Sequence, residues 1–191
     1  MGRVIAGMAM SLDGFVEDRH GSVSALYPDL AGLRETEPLK ESIRDTGAVV
    51  MGWRTFAMAP DPDAYVGSYE YQVPIFVVSR RQPDRRPKES PPLTFTFVTQ
   101  GVENAIRQAQ AAAGARDVTI VGGPTTINVA LRAGLIDELH VDIVPILLGR
   151  GLRMFDAGGL RQTALDCVSL AQLPGGQTHL RYRLPEASQR R

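Results

Sequence analysis

Cysteine is almost missing from this 191-residue chain, where Cys167 stands alone. No intrachain disulfide can form, which excludes a disulfide-stapled scaffold and points to a reducing compartment. The strand-like run Ala164 to Leu170 around it predicts a buried structural thiol that packs as a small hydrophobe. Net charge is missing too: 21 basic side chains balance 21 acidic ones, so there is no overall field to draw in nucleic acid or an anionic membrane. The one basic stretch, Arg80 to Lys88, has no interleaved aromatics, and no nucleic-acid partner is expected. His20, His140 and His179 lie far apart with no ligand spacing, so no metal site is expected. No apolar run approaches the roughly 18 residues of a membrane span. Val4 to Met10 follows Arg3 but stops at Ser11-Leu12-Asp13-Gly14, too early for a leader's hydrophobic region. It reads as a buried first strand of a cytoplasmic protein. A serine-hydrolase elbow, a phosphate loop ending in Gly-Lys-Ser/Thr and the three-glycine dinucleotide fingerprint are all lacking.

What is present suits one α/β domain over residues 1–185 with a polar tail at 186–191: 43% of residues are hydrophobic and the length can bury one core. Short apolar runs at Val4–Met10, Gly47–Gly52, Pro74–Val78, Thr94–Val98 and Val118–Val121 predict buried strands. A short helix is expected near Glu37–Thr46. Val102, Ala105, Ile106, Ala109 and Ala113 recur at helical spacing, with Gly114 as the stop. A second long helix should start at Pro124 and end by Gly134. Glu138 to Pro145 alternates, with Leu139, Val141 and Ile143 on one face and His140 on the other. Thr163–Leu173 and Thr178–Leu184, joined at Pro174-Gly175-Gly176, predict a C-terminal antiparallel hairpin on a mixed, mostly parallel sheet with flanking helices. Asp61 to Gln72, with Tyr65, Tyr69 and Tyr71, reads as a surface excursion that could join Glu138–Pro145 in a homodimer contact.

Ligands of such sheets bind beyond the carboxyl ends of the strands, and three segments stand there. Gly122-Gly123-Pro124-Thr125-Thr126-Ile127 ends a strand in two residues without Cβ and opens a helix, so backbone can approach a ligand and the amides of Thr125, Thr126 and Ile127 can face an anion. Ser79-Arg80-Arg81 offers a hydroxyl and guanidinium forks suited to a phosphate monoester. Gly52-Trp53-Arg54-Thr55 offers a close approach, an arginine and a ring that could stack on an adenine. Each also has a plain structural reading, as a tight turn, a solvated loop or a core aromatic.

Together with Met10-Ser11-Leu12-Asp13-Gly14 and the run from Leu135 to Gly151, these segments resemble the dihydrofolate-reductase-like superfamily. The group they match is that of the reductase domain of riboflavin-biosynthesis deaminase-reductases. The resemblance implies a three-layer fold and NADPH as hydride donor. It would place the cofactor phosphates near Gly52–Thr55 and Gly122–Ile127, with Ser79, Arg80 and Arg81 toward the adenosine phosphate. Ala6 and the Leu12–Phe15 loop, Gly14 included, would flank the nicotinamide. It also implies a cis peptide at Gly122–Gly123. The expected reaction is hydride transfer to a small heterocyclic substrate, with Asp13 as candidate proton donor or, alternatively, as the cap of its own turn. Two departures leave the substrate open: Trp53 stands where the group has arginine, and Phe15-Val16-Glu17 replaces an arginine-threonine-alanine segment. A dihydrofolate reductase would need a helix carboxylate, for which Asp29, Glu35, Glu37 and Glu41 are equal candidates. A non-catalytic nucleotide-binding protein of the same fold is the remaining alternative.

Overall fold

A computed structural model describes residues 1–155 and 159–185; the tail expected at 186–191 lies outside them. In chain order, β1 (Val4–Ser11) turns into the short β2 (Phe15–Asp18). Then come α1 (Leu30–Arg34), α2 (Glu37–Asp45), β3 (Thr46–Gly52), the one-turn α3 (Trp53–Phe56) and α4 (Tyr65–Ser68). β4 (Ile75–Val78) and β5 (Phe95–Val98) precede α5 (Val102–Ala113), β6 (Asp117–Val121), α6 (Pro124–Arg132) and β7 (Glu138–Val144). β8 (Gly151–Arg153), β9 (Asp166–Gln172) and β10 (Thr178–Arg183) complete the chain.

Eight strands form one sheet in the order β5-β4-β3-β6-β1-β7-β10-β9. The first six are parallel, and β10 pairs antiparallel with both β7 and β9. This is the mixed sheet with a terminal hairpin that the hydrophobic pattern predicts. A second sheet, β2 with β8, pairs Glu17 with Leu152 and was not foreseen. Its two strands are short and far apart in sequence, so neither shows a period by itself.

Alternate residues of the interior strands face two different layers. Val4 and Ala6 of β1, Val118 and Ile120 of β6, and Leu139 and Val141 of β7 pack on Ala105, Ile106 and Ala109 of α5 and on Ile127 and Ala130 of α6. The helical spacing in α5 thus supplies one complete buried face, and Gly114 stops it in a left-handed conformation at φ 64°. On the other side, Val49 and Met51 of β3 and Ile75 and Val77 of β4 meet Phe56, Tyr65, Tyr71, Phe95 and Phe97. At about 1.5–3 kcal/mol for each large apolar side chain buried, these two layers dominate the folding energy.

Three expectations are corrected. Cys167 is exposed, because β9 is an edge strand whose residues are almost all exposed. The tyrosine segment is no surface excursion: Tyr65 and Tyr71 are buried, and Tyr65 stacks on Phe56 at 5.5 Å. β7 is an interior strand between β1 and β10, and its polar face, with His140 and Asp142, lines a cavity rather than an open surface.

At the amino end of the parallel strands, Glu138 is buried and joined to Arg3 at 2.9 Å, His140 at 3.1 Å and Arg181 at 3.4 Å. Arg3 also reaches Asp117 at 2.6 Å. Burial alone would raise the Glu138 pKa, but the bonds from His140 and Arg3 outweigh it and hold the carboxyl below its ordinary value.

Candidate functional site

Four segments line up along the carboxyl edge of the parallel strands, because β4, β3, β6 and β1 are consecutive neighbours in the sheet. β4 runs into Ser79, β3 ends at Gly52, β6 runs into Gly122, and β1 ends at Ser11 beside Leu12. Beneath this edge lies a cavity of about 380 Å³. Its floor includes Gly7 of β1, and its rim includes Arg54, Thr55, Gly122, Gly123 and Pro124.

The two strand-to-helix turns interlock. A Cβ on Gly122 would lie 2.9 Å from Thr55 Cγ2, and one on Gly52 would lie 2.9 Å from Thr126 Oγ1. Each turn therefore needs glycine so that the other's threonine can seat. Gly122 and Gly123 also have φ values of 62° and 67°, a region open to glycine at little cost. The peptide between them is trans, which corrects the expected cis bond; among the described residues a cis bond occurs at Pro91–Pro92. The amides of Thr126 and Ile127 both donate to the Gly123 carbonyl, at 2.9 and 3.2 Å, so neither is free for an anion. Thr125 occupies the second helical position, whose amide has no acceptor within its helix.

Arg54 does reach the rim, but its Nη2 donates to both carboxylate oxygens of Glu17, at 2.8 and 2.7 Å. Trp53 packs over Phe56 and Phe97, with ring centroids 5.5 and 6.2 Å away, rather than lining the cavity. Ser79 closes a turn on itself, donating to the Arg81 carbonyl and accepting from the Arg81 amide. Arg80 is exposed beside it. Farther along the basic loop, Arg85 is held by Asp61 and Asp63.

The β1 residues divide by parity. The Ala6 side chain faces the α5 and α6 core and is fully buried, whereas Gly7, next in sequence, faces the cavity. A Cβ on Gly7 would meet nothing within 4 Å, so the missing side chain is part of the open volume. Leu12 is exposed and donates its amide to Ile146 at 2.9 Å. Gly14 makes the turn at φ 83°.

Asp13 accepts from the Ser11 hydroxyl at 2.6 Å and from the amides of Gly149 and Leu148 at 2.7 and 3.1 Å. The Ser11 bond, then the two amides, pull its carboxyl down to about 2. A carboxylate so held has no proton to give near neutral pH. Asp13 ties the loop after β1 to the loop after β7.

Several cavity residues were missed from the sequence: Gly7, Glu17, Tyr27, Glu70, Asp142 and His179. His179 Nδ1 lies 2.6 Å from Asp142 Oδ1, and the His179 ring meets His140 edge-on at 5.6 Å. Burial holds the His140 pKa below its ordinary 6.5, against the opposing pull of Glu138. The alternation in β7 was the available signal, since it sets His140 and Asp142 on the face opposite Leu139 and Val141. Of the four helix carboxylates considered, Asp29 caps α1 and Glu35 pairs with Lys40. Glu37 and Glu41 line a second cavity of about 230 Å³, and none of the four lines the larger one.

Known proteins share this fold. A Shewanella sp. PV-4 protein, whose assignment to riboflavin biosynthesis is itself provisional, superposes with a TM-score of 0.76 at 23% identity, over 96% of this chain and 99% of that one. The deaminase/5-amino-6-(5-phosphoribosylamino)uracil reductase of Thermotoga maritima gives 0.67 at 16% identity, covering 96% of this chain and 57% of its own longer one. The uncharacterized protein YyaP of Bacillus subtilis is 22% identical over 164 residues, 80% of each chain. These likenesses establish the dihydrofolate-reductase-like α/β fold expected from the motifs. The model of the RibD C-terminal domain matches residues 3–178, and the chain accordingly belongs to that family.

Proposed function

We propose that this chain is an NADPH-dependent reductase that delivers hydride to a small heterocycle. Family membership supports an oxidoreductase of the riboflavin-pathway reductase type. The observation that carries the finer reading is the meeting, in one cavity, of the side-chain-free floor at Gly7 with Thr55 and Gly122-Gly123-Pro124. Backbone without Cβ lets a flat ring and a pyrophosphate approach closely, and the Thr55 hydroxyl and Thr125 amide are donors of the kind a phosphate takes. Arg80 and Arg81, beyond the Ser79 turn, are the cations available to an adenosine phosphate.

A bound nicotinamide would supply the hydride. The chain's own part is to hold donor and acceptor rings face to face and to exclude water between apolar walls. Asp13 keeps the loops over β1 and β7 together, which favours an anchoring role over that of the acid. The dihydrofolate reductase alternative loses support because, among the described residues, no helix carboxylate lines the cavity. A homodimer, if formed, would use the open edge of β9, where Val168 and Leu170 are exposed. The lone exposed thiol of Cys167 suits a reducing, cytoplasmic setting.

Calorimetric titration of the purified chain with NADPH and NADH tests the reading. Binding of NADPH, followed by loss of reduced-nicotinamide absorbance with a heterocyclic acceptor, is the expected result. Failure of both dinucleotides to bind at millimolar concentration would overturn it. Binding without turnover across a broad acceptor panel would favour the non-catalytic alternative.

A further inference from the structure

Resting on that reading of the cofactor end, we propose that the other end of the cavity recognises an unphosphorylated, amino-substituted heterocycle through the Asp142–His179 pair. Register separates the two ends. Gly7 is paired with Val121 on one side and with His140 on the other, so β1 divides the glycine turns from the histidines. Beyond Gly7 the floor is made of His140, Asp142 and His179, and the walls include Tyr27, Leu30 and Leu33. Apolar and aromatic walls over a polar floor suit a flat ring with polar edges.

His179 is 8% exposed, with its Nδ1 engaged by Asp142 at 2.6 Å. A carboxylate only accepts, so Nδ1 carries a proton toward Asp142, and a neutral imidazole held this way presents the Nε2 lone pair. Nε2 has no protein partner among the described residues. Among the described residues, the acidic and arginine side chains lining the cavity are three carboxylates, Glu17, Glu70 and Asp142, and one guanidinium, Arg54, which stands beside the glycine turns with its Nη2 bonded to Glu17. Among the described residues, the acceptor end therefore offers hydrogen-bond acceptors and no arginine or lysine. Phosphate needs the reverse, either arginine and lysine or a nest of amides. Exocyclic amino groups and ring N–H groups match what is there. The phosphoribosyl substrate in the Thermotoga enzyme's name would not be matched.

The test titrates the intact chain, with and without NADPH, using two probes: 2,4-diaminopyrimidine and 5-amino-6-(5-phosphoribosylamino)uracil. The unphosphorylated probe should bind at least about tenfold tighter, the equivalent of one charge-assisted hydrogen bond. In ¹⁵N-histidine-labelled protein, that probe should shift the His179 Nε2 resonance. Asp142→Asn should weaken it by about tenfold, the cost of losing the carboxylate that sets the tautomer. Should Asp142→Asn fail to fold, the resonance shift in the unaltered chain decides. Equal or tighter binding of the phosphorylated probe, failure of both probes to bind, or an unmoved His179 signal on binding would overturn the proposal. Should the diaminopyrimidine bind as described while NADPH does not, the recognition inference stands and the reductase reading falls.

Discussion

Thr126 Oγ1 sits 2.9 Å from the position a Cβ on Gly52 would occupy, while Thr55 sits equally close to one on Gly122. The strand ends of β3 and β6 are thus keyed into each other, and the rim of the cavity is built from that contact. Gly52→Ala should cost about 1–3 kcal/mol, the range for an added methyl in a packed site. Thr126→Ala removes the obstructing hydroxyl, so the double variant should recover part of the loss. A double-mutant cycle in urea measures the coupling, and strict additivity would show that the two turns are independent. Gly122→Ala should cost more than Gly52→Ala, since it adds a strained positive φ to the same clash.

Gly7 provides the opposite case. With nothing within 4 Å of a Cβ there, Gly7→Ala should leave stability within about 0.5 kcal/mol of the parent. Gly7→Leu should fold as well yet fill the cavity floor and abolish NADPH binding. A melting curve and a titration on the same samples separate the two effects.

The Glu17–Arg54 pair competes with any phosphate for the one guanidinium that lines the cavity among the described residues. Glu17→Gln should free Arg54 and tighten NADPH binding by up to about fivefold, the equivalent of the roughly 1 kcal/mol an exposed pair can hold. Arg54→Ala should weaken it, and the difference should shrink as salt is raised. No change in either variant would place the cofactor phosphates elsewhere.

Asp13 anchors the loop after β7 through two amides. Asp13→Asn should speed hydrogen exchange at Leu148 and Gly149, with little change in the sheet. A mutant that keeps slow exchange there but loses the proton-transfer step would restore Asp13 as the acid.

Acid should destabilise the protein in two stages. His140 has a folded pKa below its ordinary 6.5, so between the two values the unfolded chain binds the extra proton and stability falls as pH drops. Asp13, held at about 2 against an ordinary 3.8, and Glu138, held below 4.5, act at lower pH. Their stabilisation is complete above the unfolded value and is lost as pH falls toward the folded one. Tm measured against pH should therefore decline below about 6.5 and again below about 4.5, within the usual range of carboxylate and imidazole titration. His140→Gln should remove the first decline only.

Much of this architecture was legible in local pattern. The apolar spacing in α5, the continuous apolar runs of β1 and β3, and the hairpin turn at Pro174-Gly175-Gly176 each report burial within a single segment, and the segments folded as read. The glycine turns at Gly52 and Gly122-Gly123 were legible for the same reason, because a residue without Cβ next to a strand end announces a close approach. Tertiary structure decided the rest. Whether Ala6 or Gly7 faced the cavity depended on which layer covered each face of β1. Arg54 became an ion pair because Glu17 lies across the cavity rim, and Asp13 became an anchor because the loop at Gly149 lies within 2.7 Å of it. His179 and Asp142 meet only because β10 runs antiparallel to β7, pairing residues 37 positions apart. Sequence alone thus determined the main strands and the two long helices, and the family, through short-range burial and turn chemistry. Which polar groups stand together over the cavity was set by long-range strand register, which no single segment encodes.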